Sequence, residues 1–89
     1  RGYNLFNKIE QGGENVAYDY SKLRGKIVEC YGSQASFAKK VELSERTLSL
    51  KLNGKIGFTQ TDIESFVEAL GIKRTEIQSY FFTVDVQRD

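Results

Sequence analysis

The chain has 89 residues, 39% hydrophobic and 12% aromatic, with one cysteine and no histidine. That length excludes a multidomain enzyme, and the lone thiol excludes an intramolecular disulfide scaffold. A zinc site would have to be assembled from Cys30 and carboxylates, against the usual ligand sets, so no metal or other cofactor is expected. The apolar content is too rich for disorder, yet no apolar run approaches the roughly 20 residues of a membrane span. The opening residues lack the pattern of a secretory signal, so a soluble cytoplasmic protein without a membrane partner is expected.

The formal charge of +1 conceals an asymmetry. Residues 1–18 are neutral. Residues 19–58 hold eight bases against four acids, and residues 59–89 three bases against six acids, so the middle stands at +4 and the end at −3. The middle could face a polyanion, although a solvated surface explains the same count.

In chain order, residues 1–17 show one short apolar patch, Leu5, Phe6 and Ile9, cut off by Gly12-Gly13, and read as a tail. The next stretch, from Ser21, places Leu23, Ile27, Cys30 and Tyr31 on one helical face, with Ser21 as cap and Gly32 as stop. Ser33 can cap a second, short helix through Lys40, with Phe37, Ala38 and Val41 on its inner side. Ser44 caps a third, in which Leu48 and Leu52 repeat at i, i+4 before Asn53-Gly54. Thr59 and Asp62 make a capping box for a fourth helix, whose inner face is Ile63, Phe66, Val67 and Leu70 and whose stop is Gly71. A fifth spans Arg74 to Phe81, with Ile77, Tyr80 and Phe81 at helical spacing. Finally Phe82, Val84 and Val86 alternate with polar residues, the period of a half-buried strand. The organisation expected is a tail (1–17), a domain (18–82) and a C-terminal strand or tail (83–89).

Chemistry is poorly represented. There is no histidine for acid–base work and no phosphate-cradling glycine loop, so an enzyme is not expected. Cys30, on the apolar face of the first helix, reads as a packed small hydrophobe rather than a nucleophile. The Glu64 and Glu68 pair reads as solvated charge.

The informative stretch runs from Gln34 to Lys55. Two short helices so closely joined must cross steeply, and the small Ala38 lets the second pack across the first. With Phe37, Ala38, Val41, Leu43, Leu48 and Leu52 inward, Ser44, Glu45, Arg46, Thr47, Ser49, Leu50 and Asn53 remain outward or at the start of the third helix. That is helix-turn-helix geometry. From about Tyr18 to Phe82 the sequence resembles the helix-turn-helix regulators of the lambda and 434 repressor and Cro class, through Tyr18-Asp19-Tyr20-Ser21-Lys22-Leu23 and the run from Leu43 to Gly54. The likeness is nearest to a small phage-type group. It implies a five-helix all-α domain that binds a double-stranded DNA operator as a repressor or Cro-like regulator, usually a homodimer, in the bacterial cytoplasm.

By the same resemblance Gln34 touches phosphate, Ser44, Glu45, Arg46 and Leu50 read base edges, and Asn53 and Lys55 lie along the backbone. On chemistry, Arg46 suits guanine, Glu45 could accept from cytosine or orient Arg46 or Gln34, and Leu50 could meet a thymine methyl. Lys39, Lys40, Lys51 and Lys55 are phosphate neighbours at most. Glu42 stands where the family favours Gly, which demands a strained turn, and Phe58 near where relatives carry Pro, which suggests a looser clamp. The rival reading keeps the fold and replaces DNA with a protein, as in an antirepressor or adaptor.

Two expectations concern the ends. The C-terminal stripe has no other convincing strand to pair with, so two copies are expected to pair through it antiparallel, setting recognition helices about 34 Å apart for a near-palindromic operator; the alternatives are a flexible tail or pairing with the N-terminal segment. Gln11 to Val16 is compatible in codon choice with a ribosome-binding sequence before a start at Val16. Deleting residues 1–15 is therefore expected to leave melting temperature and duplex affinity unchanged, as read by thermal melts and titration of the shortened chain.

Overall fold

The computed structural model describes residues 17–85. The expectations placed on Leu5, Phe6, Ile9 and Val86 lie outside them. Five α-helices follow in order: α1 (Ser21–Tyr31), α2 (Gln34–Lys40), α3 (Glu45–Leu52), α4 (Gln60–Leu70) and α5 (Ile77–Phe81). The all-α, five-helix architecture is as the sequence pattern requires.

Each start follows from local chemistry. Ser33 and Ser44 accept from the backbone N–H groups of Ser36 and Thr47, and Thr59 and Asp62 form the reciprocal capping box. The start of α1 differs from expectation. Ser21 lies inside the helix, and Asp19 Oδ1 accepts from its backbone N–H at 2.8 Å and its hydroxyl at 2.6 Å. The carboxylate thus does the work assigned to the serine, and those bonds from Ser21 hold its pKa below the usual value. The fifth helix also begins later, because Arg74–Glu76 winds as a 3-10 turn before α5.

The inner faces meet in one core. Leu23 and Ile27 of α1, Phe37 and Ala38 of α2, Leu48 and Leu52 of α3, Phe66 and Leu70 of α4, and Tyr80 and Phe81 of α5 are buried. Phe66 sits among the rings of Phe37 at 4.8 Å, Phe58 at 5.3 Å and Phe81 at 6.1 Å. Phe58 also meets Tyr20 at 5.2 Å and Phe81 at 5.3 Å, so the loop after α3 is held by aromatic packing where a looser segment was expected. Cys30 departs from its expected place and is exposed. In the last turn of α1 the covering neighbours lie on the side of Tyr31, whose hydroxyl donates to the Ala69 carbonyl and whose ring meets Phe37, and the Cys30 flank stays open.

The C-terminal stripe pairs within its own chain. Tyr18 and Val84 form an antiparallel bridge, flanked by Asp19 N–H to the Thr83 carbonyl at 2.7 Å and Asp85 N–H to the Ala17 carbonyl at 2.8 Å. The premise that this stripe lacks a partner in the chain is therefore corrected: the residues just before α1 supply one. The isolated bridge does not extend into a strand among the described residues.

The turns that end α2 and α3 are the same motif with different residues. Leu43 N–H returns to the Ala38 carbonyl and Glu42 N–H to that of Lys39, while Lys55 N–H returns to Leu50 and Gly54 N–H to Lys51. The residue at the pivot has positive φ in both, 61° for Glu42 and 75° for Gly54. Glu42 accepts strain that Gly54 avoids. Glu42→Gly is expected to stabilise the domain by about 0.5–1 kcal/mol in urea unfolding, the relief of left-handed strain outweighing the added freedom of the unfolded chain.

Candidate nucleic-acid interface

A four-residue connection, 41–44, turns the chain from α2 into α3. Its closeness rests on Ala38, 2% exposed, whose carbonyl also accepts the returning Leu43 N–H. At the start of α3, Ser44, Glu45 and Arg46 are exposed together. Ser44 is already engaged, since its hydroxyl accepts from Thr47 N–H at 3.0 Å and bonds the Thr47 hydroxyl at 2.9 Å. Its role in the isolated protein is to cap α3. Glu45 sits in the first turn, where the helix dipole favours a carboxylate, and among the described residues no ion pair joins it to Arg46 or another base. Arg46 extends into solvent.

The remaining expected contacts are placed as follows. Gln34 is half-buried as the first residue of α2, just after the Ser33 cap. Thr47, Ser49 and Leu50 are half-buried, so Leu50 is less outward than its place in the pattern suggested. Asn53 and Lys55 are exposed in the loop after α3. Asn53 is tied on both sides: its amide donates to Ser49 Oγ at 3.2 Å, and its Oδ1 accepts from Arg24. Arg24 also donates to the Leu52 carbonyl at 2.9 Å, so a side chain from α1 satisfies the end of α3 and orients Asn53. The sequence reading missed Arg24. Its signal was its spacing, three residues before the buried Ile27.

Lys51 requires a larger correction. Expected at most beside phosphate, it is buried, 6% exposed. Its Nζ lies 2.7 Å from Asp62 Oδ2, donates to the Gly57 carbonyl at 2.9 Å and stands 5.8 Å from the centre of the Phe58 ring. The spacing again carried the signal, since a residue three after Leu48 turns to the same face. Asp62 also accepts from Thr59 N–H at 2.9 Å. One ion pair thus joins the end of α3, the loop and the start of α4, and fixes the segment bearing Lys55.

Burial alone would raise the Asp62 pKa, but the bonds from Lys51 and Thr59 and the Lys51 charge together hold it below the usual carboxylate value. A depressed folded pKa means that this contribution is complete above the unfolded value near 4 and is lost as pH falls through the lower folded one. Lys51→Met is expected to cost roughly 2–4 kcal/mol by leaving a half-buried carboxylate unpaired. Asp62→Asn should destabilise too, and should flatten the decline of stability as pH falls below the usual carboxylate value, measured by denaturant unfolding across the acid range.

No cluster of three or more His, Cys, Asp or Glu suited to a metal occurs among the described residues, and none of their helices is long and apolar enough to cross a membrane. No curated protein matches the chain. Among solved structures, it is similar to the solution structure of the modulator of repression (MOR) of the temperate bacteriophage TP901-1 from Lactococcus lactis. The identity is 46%, over 79% of this chain and 95% of that one, with a TM-score of 0.68. A family model described as protein of unknown function (DUF739) matches residues 16–84, and the chain belongs to that family.

Proposed function

We propose that the protein is a phage-type transcriptional regulator that binds double-stranded DNA in a sequence-specific manner through α3. The observation that carries this reading is the exposed Ser44, Glu45 and Arg46 at the start of a short helix set across α2 by a closed four-residue turn. In such a placement the first turn of α3 enters the major groove while α2 crosses the backbone. Arg46 would take guanine and Glu45 cytosine, with Thr47, Ser49 and Leu50 behind them. Gln34, Asn53 and Lys55 would meet phosphates, Asn53 in the orientation imposed by Arg24. The similarity to a modulator of repression supports a place in a repression circuit.

A second reading, regulation through protein contact in the manner of an antirepressor or adaptor, is favoured by a specific observation. Of the bases concentrated in residues 19–58, Lys51 is buried in an ion pair and Arg24 is spent on the end of α3, which leaves a modest cationic surface for DNA. The homodimer belongs to the DNA-binding proposal in a weaker form than the unpaired-stripe argument gave it. Val84 is exposed, and a twofold pair could still use the outer side of its segment.

Selection of bound sites from random duplexes, followed by titration at several salt concentrations, separates the readings. Arg46→Ala is expected to cost about 1–3 kcal/mol at one operator position and relax the preference there, whereas Lys55→Ala weakens all sequences alike and lowers the salt slope by about one. Uniform loss from Arg46→Ala removes the base-reading role, and salt-insensitive or absent duplex binding favours the protein-contact reading. Sedimentation of the selected complex counts the copies.

A further inference from the structure

An open groove of about 700 Å³ runs between α4 and the segment from Ile72 to Phe82, and its lining takes nothing from α2 or α3. Ile63, Val67, Ile72 and Ile77 give it apolar walls, and Phe82, 43% exposed, stands at its edge. Gln60, Glu64 and Glu68 succeed one another at single-turn intervals along its α4 rim. Both carboxylates are exposed, and among the described residues neither has an ion-pair partner, Glu64 having only the Gln60 amide at 3.5 Å. Arg74, on the 3-10 turn, lines the other wall.

We infer that this groove is a docking site for an amphipathic helix of a partner protein. The partner's apolar stripe lies on the isoleucines, its basic flank along Glu64 and Glu68, and its flank over Arg74 is neutral or acidic. Three physical points select that occupant. A channel walled by α4 on one side and largely by the 3-10 turn and α5 on the other presents apolar side chains to an i, i+3, i+4, i+7 stripe, the way a groove takes a helix. An acidic rim repels phosphates, so nucleic acid is the wrong ligand for this face. A second copy joined by a twofold axis passing along the α4 rim would set Glu64 and Glu68 beside their own symmetry mates, a like-charge arrangement that a basic helix converts into attraction. The inference is independent of DNA binding by α3, and the separation of the two faces lets one chain hold both ligands.

The test uses the full chain, isotope-labelled at its methyl groups, and two synthetic peptides of about four helical turns with the same leucine stripe. One carries lysines along one flank and the other glutamates. The lysine peptide is expected to shift the methyl signals of Ile63, Val67 and Ile77 and to bind about tenfold more tightly than the glutamate peptide, as two rim charges imply. Glu64→Lys with Glu68→Lys should reverse that preference, and Glu64→Gln with Glu68→Gln should abolish it, all four changes lying on exposed positions. The inference is overturned by equal affinities, by a preference that survives the charge reversal, by shifts located elsewhere, or by no binding of either peptide. It is equally overturned if the same methyl signals move with protein concentration alone, which identifies a second copy as the occupant.

Discussion

Phe66 is the point on which the domain turns. Its ring is fully buried and meets Phe37 of α2, Phe58 of the loop after α3 and Phe81 of α5, so three separate stretches of chain converge on one side chain of α4. Contacts of this kind add about 0.5–1.5 kcal/mol each beyond the area they bury. A small chain with no intramolecular disulfide needs that concentration, since its core is otherwise a few leucines and isoleucines deep. The aromatic packing also decides where the loop carrying Lys55 runs, because Phe58 is anchored between Tyr20, Phe66 and Phe81.

Charge is used economically around that core. Two cations that a count of the sequence offers to a polyanion are spent internally, Lys51 on Asp62 and the Gly57 carbonyl, Arg24 on Leu52 and Asn53. Both act at the C-terminal end of α3, Arg24 by satisfying it from α1 and Lys51 by tying it to the following loop and the start of α4. The start of the same helix, by contrast, leaves Glu45 and Arg46 without an internal ion pair among the described residues. Rigidity at one end and availability at the other is what a recognition element requires, whether its counterpart is a base edge or a protein surface.

Most of the helical plan was legible because period and punctuation agreed. Ser33, Ser44 and Thr59 cap where the pattern begins, Gly32 and Gly71 stand where it ends, and Glu42 takes the positive φ that its position demanded. What failed to show was pairing over distance. A hydrophobic-polar pattern marks Lys51 as a surface residue by type, although its spacing from Leu48 places it inward, and only the fold supplies Asp62 to make burial tolerable. Pairing of the Val84 stripe with the N-terminal segment stood only as an alternative to the dimer for a similar reason, since the residues around Tyr18 carry too short an alternation to be favoured as half of a pair. Cys30 failed in the opposite sense, at a helix end where one flank had no neighbour to cover it. The placement of Arg46 and Glu45 at the start of α3 followed from the turn, whereas their chemistry toward a ligand is set outside the chain.

The bridge between Tyr18 and Val84 has a kinetic consequence. It joins residues separated by nearly the whole described length, while the contacts that build α2, α3 and the turn between them are local. Closing so long a loop costs entropy that only a largely assembled interior can offset, so Tyr18 and Val84 are expected to clasp late in folding. Held by two flanking backbone hydrogen bonds at the exposed edge of the core, the same clasp is the natural first point of opening, at a free energy below that of global unfolding. Among the described residues, the bundle is therefore expected to nucleate locally, with the Tyr18–Val84 clasp forming last and parting first.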